Sequence, residues 1–409
     1  MPALFRRPAV VALLIAIAAQ LLFTVGVTRP SIPVFDEVHY VPAARTLLAL
    51  ERPVNTEHPL LGKALIASGI AVFGDRPVGW RAMSTLAGTA TVLGVFWILL
   101  LLFGRLRTAA YGALFAAINF TLFVHARIAM LEPFLGAFVV LAVAAMLWSM
   151  DAPRERVVGR WVLGALLLGC ATAVKWTAAP YVAFAAVAFL AIRDKRPGSW
   201  AGLGAIKGIA LLGGVSIATY FVTFLPAFFY ASDALTLARL IPFQFEMYER
   251  QTQVLPSHPY QSNWTRWPLD ARPVWYLYER VDGAVRGILY LGNPVIMWGG
   301  LVAVAWLGVH WWRTPSARAA GIALLWLGSL AIWAVIPKSL GFYYYYHLSG
   351  IFLCIALPAA FHLADAVRLR YWFAVLASVA FVWFYPIIAA TALPGEQAFT
   401  RWMWFDSWR

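Results

Sequence analysis

Charge is what this sequence has least of. Only 12% of its 409 residues are Asp, Glu, Lys or Arg, against roughly 25% in a soluble domain. Such a chain cannot cover a water-facing surface, which excludes an ordinary soluble globule. Cysteine is scarcer still. Cys170 and Cys354 both sit inside apolar runs, so there is no disulfide framework, no CxxC pair and no thiolate zinc spacing. The Walker loop, the GxGxxG turn and tandem repeats are all missing, which removes the common nucleotide-binding and solenoid designs. Short alternating segments of the kind that build a membrane β-barrel are missing too.

What remains is 62% hydrophobic and organised in long runs. These read as an all-α polytopic membrane protein of about eleven transmembrane helices. The runs fall near 8–28, 83–103, 108–125, 133–150, 160–174, 178–192, 205–229, 287–309, 319–336, 343–363 and 371–391. The first is too long for a signal-peptide core and lacks a small-residue cleavage site, so it stays as a helix. Lys175-Trp176-Thr177 and Pro180 interrupt the stretch from Arg160 to Arg193. Counting that stretch as two helices puts Arg6/Arg7, Arg105/Arg107, Arg154/Arg156/Arg160, Arg193/Lys195/Arg196, Arg313/Arg318 and Arg368/Arg370 on one side, as the positive-inside bias requires. The N-terminus is then cytoplasmic and the C-terminus external. One membrane domain, 1–409, carries two long external loops with interfacial helices, 29–82 and 230–286, and a C-terminal four-helix region, 287–391. The net charge of +14 lies in short loops, where it suits topology and anionic lipid rather than nucleic acid. Arg401-Trp402-Met403-Trp404-Phe405 reads as an interfacial anchor.

The few charges cluster on the outer side. Asp36 and Glu37 follow the first apolar run, with His39 and Tyr40 behind them. Ionisable groups beside hydrocarbon are costly and point to function. Pro42 is expected to open a helix to about Glu51, with Val41 extended before it. Pro59 is expected to open another, to about Phe73, with Glu57 and His58 at its N-terminus and Lys63 one turn on. Backbone N–H groups there favour an anion such as phosphate. Arg127 and Glu132, then Lys175, Lys338 and the run Tyr343 to His347 face the same side. In the second loop His258, Tyr260, Gln261, Trp267, Arg272 and Tyr276 mix aromatic faces with polar edges, which suits a sugar. Polar clusters at helix ends argue for surface chemistry. A transporter would place them near the bilayer midplane.

Taken in order, Phe35-Asp36-Glu37-Val38-His39, Glu57-His58-Pro59-Leu60-Leu61-Gly62-Lys63, Arg127 to Pro133, Lys175-Trp176-Thr177 and His258 to Tyr276 resemble the motifs of the polyprenyl-phosphate-mannose-dependent protein O-mannosyltransferases. Leu60 stands where that family commonly has a second proline, and Glu132 where it often has aspartate. The soluble insert of eukaryotic members is missing, so the chain is similar to a bacterial form. The resemblance implies a C-type membrane glycosyltransferase fold in a bacterial plasma membrane, with the active site facing the periplasm. It further implies inverting transfer of mannose from polyprenyl-phosphate-mannose to Ser or Thr of translocated proteins, with the translocation machinery as a partner. Asp36 would be the general base, supported by Glu37. Arg127, His58, Lys63 and Lys175 would hold the donor phosphate. His39, Tyr40, Glu57, Glu132, His258, Tyr260, Gln261, Trp267, Tyr345 and His347 would meet acceptor or sugar. Two alternatives stand beside this reading. One is a divalent cation on Glu57, His58 and His258; the other is a lipid or glycan acceptor, as in the related aminoarabinose transferases.

Overall fold

The computed structural model describes residues 7–409, which leaves Arg6 of the basic set outside the described residues. The first half contains α1 (Pro8–Thr24), α2 (Glu37–Leu48), α3 (Leu61–Phe73), α4 (Pro77–Phe103), α5 (Leu106–Ala117), α6 (Phe120–His125), α7 (Glu132–Met150), α8 (Arg154–Val174), α9 (Ala179–Lys195) and α10 (Ala205–Val222). The second half contains α11 (Pro242–Gln251), a hairpin of β1 (Val274–Val281) and β2 (Ala284–Tyr290), α12 (Pro294–Arg313), α13 (Ala317–Ala331), α14 (His347–Leu363) and α15 (Val367–Ile388).

Among the described residues, nine helical segments are long and apolar enough to cross a bilayer. α1 has 17 residues and falls short of that length. The run 108–125 is broken where buried Asn119 caps α6 by accepting the Thr121 N–H. The stretch 154–195 is two helices, because Lys175 takes an extended backbone (φ −156°, ψ 132°) between α8 and α9. One expected span is corrected at its start. Residues 287–290 are strand, and α12 begins only at Pro294, capped by the Asn293 side chain on the Val295 N–H. Asn293 also donates to the carbonyls of Ile118 (3.2 Å) and Ala377 (3.0 Å). One buried amide thus ties the end of α5 to α15, a bond that hydrocarbon surroundings make costly to lose.

Both outer loops depart from expectation. α2 starts at Glu37 and not at Pro42, because Glu37 is anchored on both sides and sets the first turn early. Pro42 then lies inside the helix, where its missing N–H forfeits one bond; Val41 is helical and buried. Pro59 precedes α3 by two residues instead of opening it. The hairpin is absent from the all-α expectation, yet its signal is local: Val274-Trp275-Tyr276-Leu277-Tyr278, then Asp282-Gly283. Asp282 and Gly283 both have positive φ (51° and 73°), the two-residue turn that matches strand twist. Tyr276 is the extra residue of a bulge, since Trp275 pairs with Leu289 and Leu277 with Ile288. The turn is fastened to the first outer loop by Ser31, whose N–H and Oγ donate to Asp282 at 3.0 and 2.5 Å.

The tail is docked more firmly than an interfacial anchor. Trp408 is buried and donates to the Asp270 carbonyl at 2.7 Å, and Trp402 donates to the Trp383 carbonyl at 2.6 Å. Trp404 and Phe405 remain about half exposed.

α3 and α4 approach closely through small residues, as membrane helices do. A Cβ at Gly79 would lie 1.9 Å from the Gly74 carbonyl oxygen, whereas one at Gly213 would meet nothing within 4 Å. Gly79→Ala is therefore expected to destabilise by about 3 kcal/mol, read as a lower melting temperature in detergent. Gly213→Ala should leave the melting temperature unchanged or raise it slightly.

Candidate active site

The site rests on Arg81, near the start of α4 and fully buried. All five of its N–H groups are used. Nε and Nη2 donate to the two oxygens of Glu37 (2.8 and 2.7 Å), Nη1 to the carbonyls of Val27 (3.0 Å) and Pro30 (2.8 Å), and Nη2 also to that of Ile32 (3.0 Å). Glu37 accepts two more bonds, from the N–H of Val34 (2.9 Å) and of Ala129 (2.7 Å). Its oxygens are thus fully engaged. Every bond that Glu37 makes is therefore inside the protein.

Asp36, one residue earlier, is different. It sits at the N-cap of α2 without making a capping bond and is only half-buried. The residue before it, Phe35, is held at φ 49°, a left-handed backbone that a bulky side chain rarely adopts and that recurs at functional sites. What holds it is stacking: the Phe35 ring lies 3.9 Å from Tyr276 and 5.6 Å edge-on from Tyr344. Burial pushes the Asp36 carboxyl up to about 6; the charges of Glu132 and Glu57 add to this, and Lys175 and His39 oppose it.

Glu132 and Lys175 face Asp36 as a buried ion pair, 2.6 Å apart. Although burial disfavours its charge, Lys175 is held above the ordinary lysine range by Glu132, with Tyr345 and Asp36 adding to the effect. Its ammonium also lies over the rings of Tyr345 (5.2 Å) and Tyr344 (5.7 Å), contacts that stabilise a cation. A cavity of about 380 Å³ opens beside them, walled by Glu57, His58, Arg250, Lys338 and Tyr345. Burial and the charges of Lys175, Lys63 and Lys338 hold His58 as a neutral imidazole, well below its usual range. It can offer a hydrogen bond there but no charge. His39 is exposed; Tyr40 is buried with its ring 6.2 Å from His58.

Behind this wall lies a second polar cluster. His125 shares bonds with the Tyr276 hydroxyl (2.9 Å) and with His347 Nδ1 (3.1 Å), and the Tyr290 hydroxyl stands 3.5 Å from that same nitrogen. Tyr276 and His125 therefore join the two halves directly under Phe35. Tyr276 was expected only as part of the sugar-facing second loop; His125 and Arg81 did not stand among the expected site residues. Tyr276 had a signal in the hairpin pattern; Arg81 had one as a lone cation at the foot of an apolar helix.

Three residues expected at phosphate or sugar also make bonds within the protein. The Arg127 Nη1 donates to the carbonyls of Phe23 (3.0 Å) and Val25 (2.5 Å), and its guanidinium lies over Phe123. It thus closes the C-terminus of α1. The Lys63 Nζ donates to the carbonyls of Asn55 (2.5 Å) and His58 (2.8 Å), shaping the loop before α3. Trp267 is buried among Trp333 and Tyr345, with its indole N–H on Ser262. His258, Tyr260 and Gln261 form a rim further out. Gln261 lines a polar cavity of about 700 Å³ beside Trp333 and Lys338, and His258 packs on Phe342. Among the described residues no three His, Cys, Asp or Glu side chains are grouped as metal ligands, so Glu57, His58 and His258 do not form a three-ligand set.

Comparison with known proteins follows the same lines. Residues 73–232 match the family model described as dolichyl-phosphate-mannose-protein mannosyltransferase. A polyprenol-phosphate-mannose–protein mannosyltransferase of Mycobacterium tuberculosis is 27% identical, over 97% of this chain and 90% of the relative. One of Mycolicibacterium smegmatis is 28% identical, over 93% and 89%. The fold matches a chain of the Saccharomyces cerevisiae protein O-mannosyltransferase Pmt1-Pmt2 complex bound to the sugar donor, with TM-score 0.83 and 13% identity, over 100% of this chain and 93% of that one. It also matches ArnT from Cupriavidus metallidurans bound to undecaprenyl phosphate, with TM-score 0.61 and 15% identity, over 90% and 69%.

The contrast between the adjacent carboxylates is measurable. Glu37→Gln removes the charge that balances buried Arg81 and is expected to cost about 3–5 kcal/mol, seen as lost yield and a lower melting temperature. Asp36→Asn, which breaks no such pair, should melt like the wild type.

Proposed function

We propose that the chain, whose residues 73–232 match the dolichyl-phosphate-mannose-protein mannosyltransferase family model, moves mannose from a polyprenyl-phosphate-mannose donor to Ser or Thr hydroxyls of proteins emerging on the outer face of a bacterial plasma membrane. The observation that carries the catalytic assignment is Asp36, held at the tip of a rigid loop with its carboxylate uncommitted beside Glu132–Lys175. In this reading the acceptor oxygen attacks the anomeric carbon while Asp36 takes its proton. The new C–O bond forms as the bond from the anomeric carbon to phosphate breaks, on the opposite face, with inversion. Polyprenyl phosphate leaves as an anion and needs electrostatic support more than protonation. Lys175, Lys338 and Arg250 are assigned to that support, since Lys338 and Arg250 wall the cavity and Lys175 keeps its charge. Arg127 and Lys63 act one step back, fixing the helix end and loop that frame it. Acceptor contact is assigned to Glu57, Tyr345 and the rim of His258, Tyr260 and Gln261. Delivery of unfolded chains by the translocation machinery fits an outward-facing base.

The test is transfer from labelled polyprenyl-phosphate-mannose to a Ser/Thr-rich peptide by protein in nanodiscs. Asp36→Asn, folded as wild type, is expected to lower the rate by about 10²–10⁴-fold. Equal rates would remove Asp36 as the base, and label recovered in lipid instead of peptide would move the acceptor to a lipid or glycan. A second expectation concerns pH. The base works only when ionised, and Asp36 is pushed up to about 6. Rate should therefore be level above pH 7 and fall about tenfold per unit below pH 6. An unchanged rate at pH 5 would contradict the assignment.

A further inference from the structure

The end of the molecule opposite Asp36, where α14 runs into α15, holds positive charge with little to balance it. The charges of Arg105, Arg370 and Arg318 all act on His362, with Asp365 the opposing one. Arg318 lies over the Phe103 ring (5.9 Å), Phe103 meets His362 edge-on (4.9 Å), and His362 stands 3.4 Å from the Thr108 hydroxyl. Arg370 lies over Tyr111, one turn further along α5, at 4.7 Å. Arg370 is only 8% exposed, and its Nε is buried without a partner. Among the described residues none of the ion pairs includes Arg105, Arg318 or Arg370. A buried guanidinium at a membrane surface, with two exposed ones beside it, calls for an anion.

An apolar groove of about 810 Å³ starts at the same place. Tyr111 and Tyr371 form its basic end, and Ser378, Val382 and Pro386 carry it along α15. From residue 371 to 386 α15 rises roughly 22 Å, which exceeds half of a hydrocarbon core of about 30 Å. Such a groove takes one acyl chain from the leaflet on that side. Its wall is open to lipid, since Val379 and Val382 are 59% and 71% exposed.

We propose that this end binds an anionic glycerophospholipid, its phosphodiester held by Arg370, Arg105 and Arg318 and one acyl chain lying along α15. Basic pockets between helices on the cytoplasmic side suit such headgroups. The donor's polyprenyl phosphate does not fit this end, because its phosphate is used at the opposite face. The inference rests on the membrane reading and not on the identity of the transferred sugar.

Native mass spectrometry tests it. Purified protein is offered equal phosphatidylglycerol and phosphatidylcholine of the same acyl chains. Wild type is expected to retain one phosphatidylglycerol in at least roughly tenfold preference. Arg105→Gln with Arg318→Gln, both exposed positions that should fold normally, is expected to abolish the preference. Ser378→Trp, filling the groove, is expected to lower retention with the guanidinium groups intact. Equal retention of both lipids by wild type would overturn the proposal. So would an unchanged preference in the double variant, or displacement of phosphatidylglycerol by an equal amount of polyprenyl phosphate. Peptide mannosylation measured on the same samples reports separately on the transfer reaction.

Discussion

Everything at the outer face depends on one buried contact, the two-pronged bond between Arg81 and Glu37. An ion pair withdrawn from water is a poor source of net stability, because desolvation offsets most of the attraction. Its value here is geometric. Arg81 reaches the carbonyls of Val27, Pro30 and Ile32 as well as Glu37, so the segment leaving α1 has one shape. Glu37 then reaches across to the Ala129 N–H, which sets that segment against the turn ahead of Glu132. Two outer turns are locked by one guanidinium.

From that lock the rest follows. With Glu37 turned inward, its neighbour at the helix start must face another way, and Asp36 does. The hairpin of the second half closes the arrangement from above. Its bulge aims Tyr276 between Phe35 and Tyr290, with centroids at 3.9 and 5.0 Å, and its hydroxyl meets His125. Bulges beside active sites serve to re-aim a side chain in this way. Asp36 thus stands beside an aromatic column built from both halves of the chain.

Much of this was legible in the amino-acid sequence, and the failures share a cause. The helical membrane design followed from the long apolar runs, and the choice of Asp36 as a candidate from where scarce charges fall beside them. Lys175 could be read as an interruption because a cation inside hydrocarbon needs a partner, and Glu132 is that partner. Arg127, Lys63 and Trp267 were read as facing substrate, whereas Arg127 Nη1 and Lys63 Nζ donate to backbone carbonyls and Trp267 is packed among aromatic rings. Sequence spacing does not reveal a backbone partner, since every residue carries the same carbonyl. The same blindness hid Arg81, whose partners are largely main chain. The different surroundings of Asp36 and Glu37 likewise depend on the helix start, which the proline pattern placed at Pro42 and the structure places at Glu37. The hairpin was legible in its Asp-Gly turn, but the surrounding apolar runs drew its second strand into a helix.

Under the function proposed above, the rigidity of this loop bears on which polypeptides can be modified at all. Asp36 lies on a backbone that ring stacking at Phe35 and the bonds of Arg81 hold in place. The hydroxyl must therefore travel to the carboxylate, and only a segment without fixed tertiary structure can thread a side chain that far. A domain that has already collapsed would present its serines on a convex surface the cleft cannot embrace. Modification then becomes a race between glycosylation and acceptor folding. Its outcome is set as much by how fast a client buries its hydroxyls as by the residues that flank them.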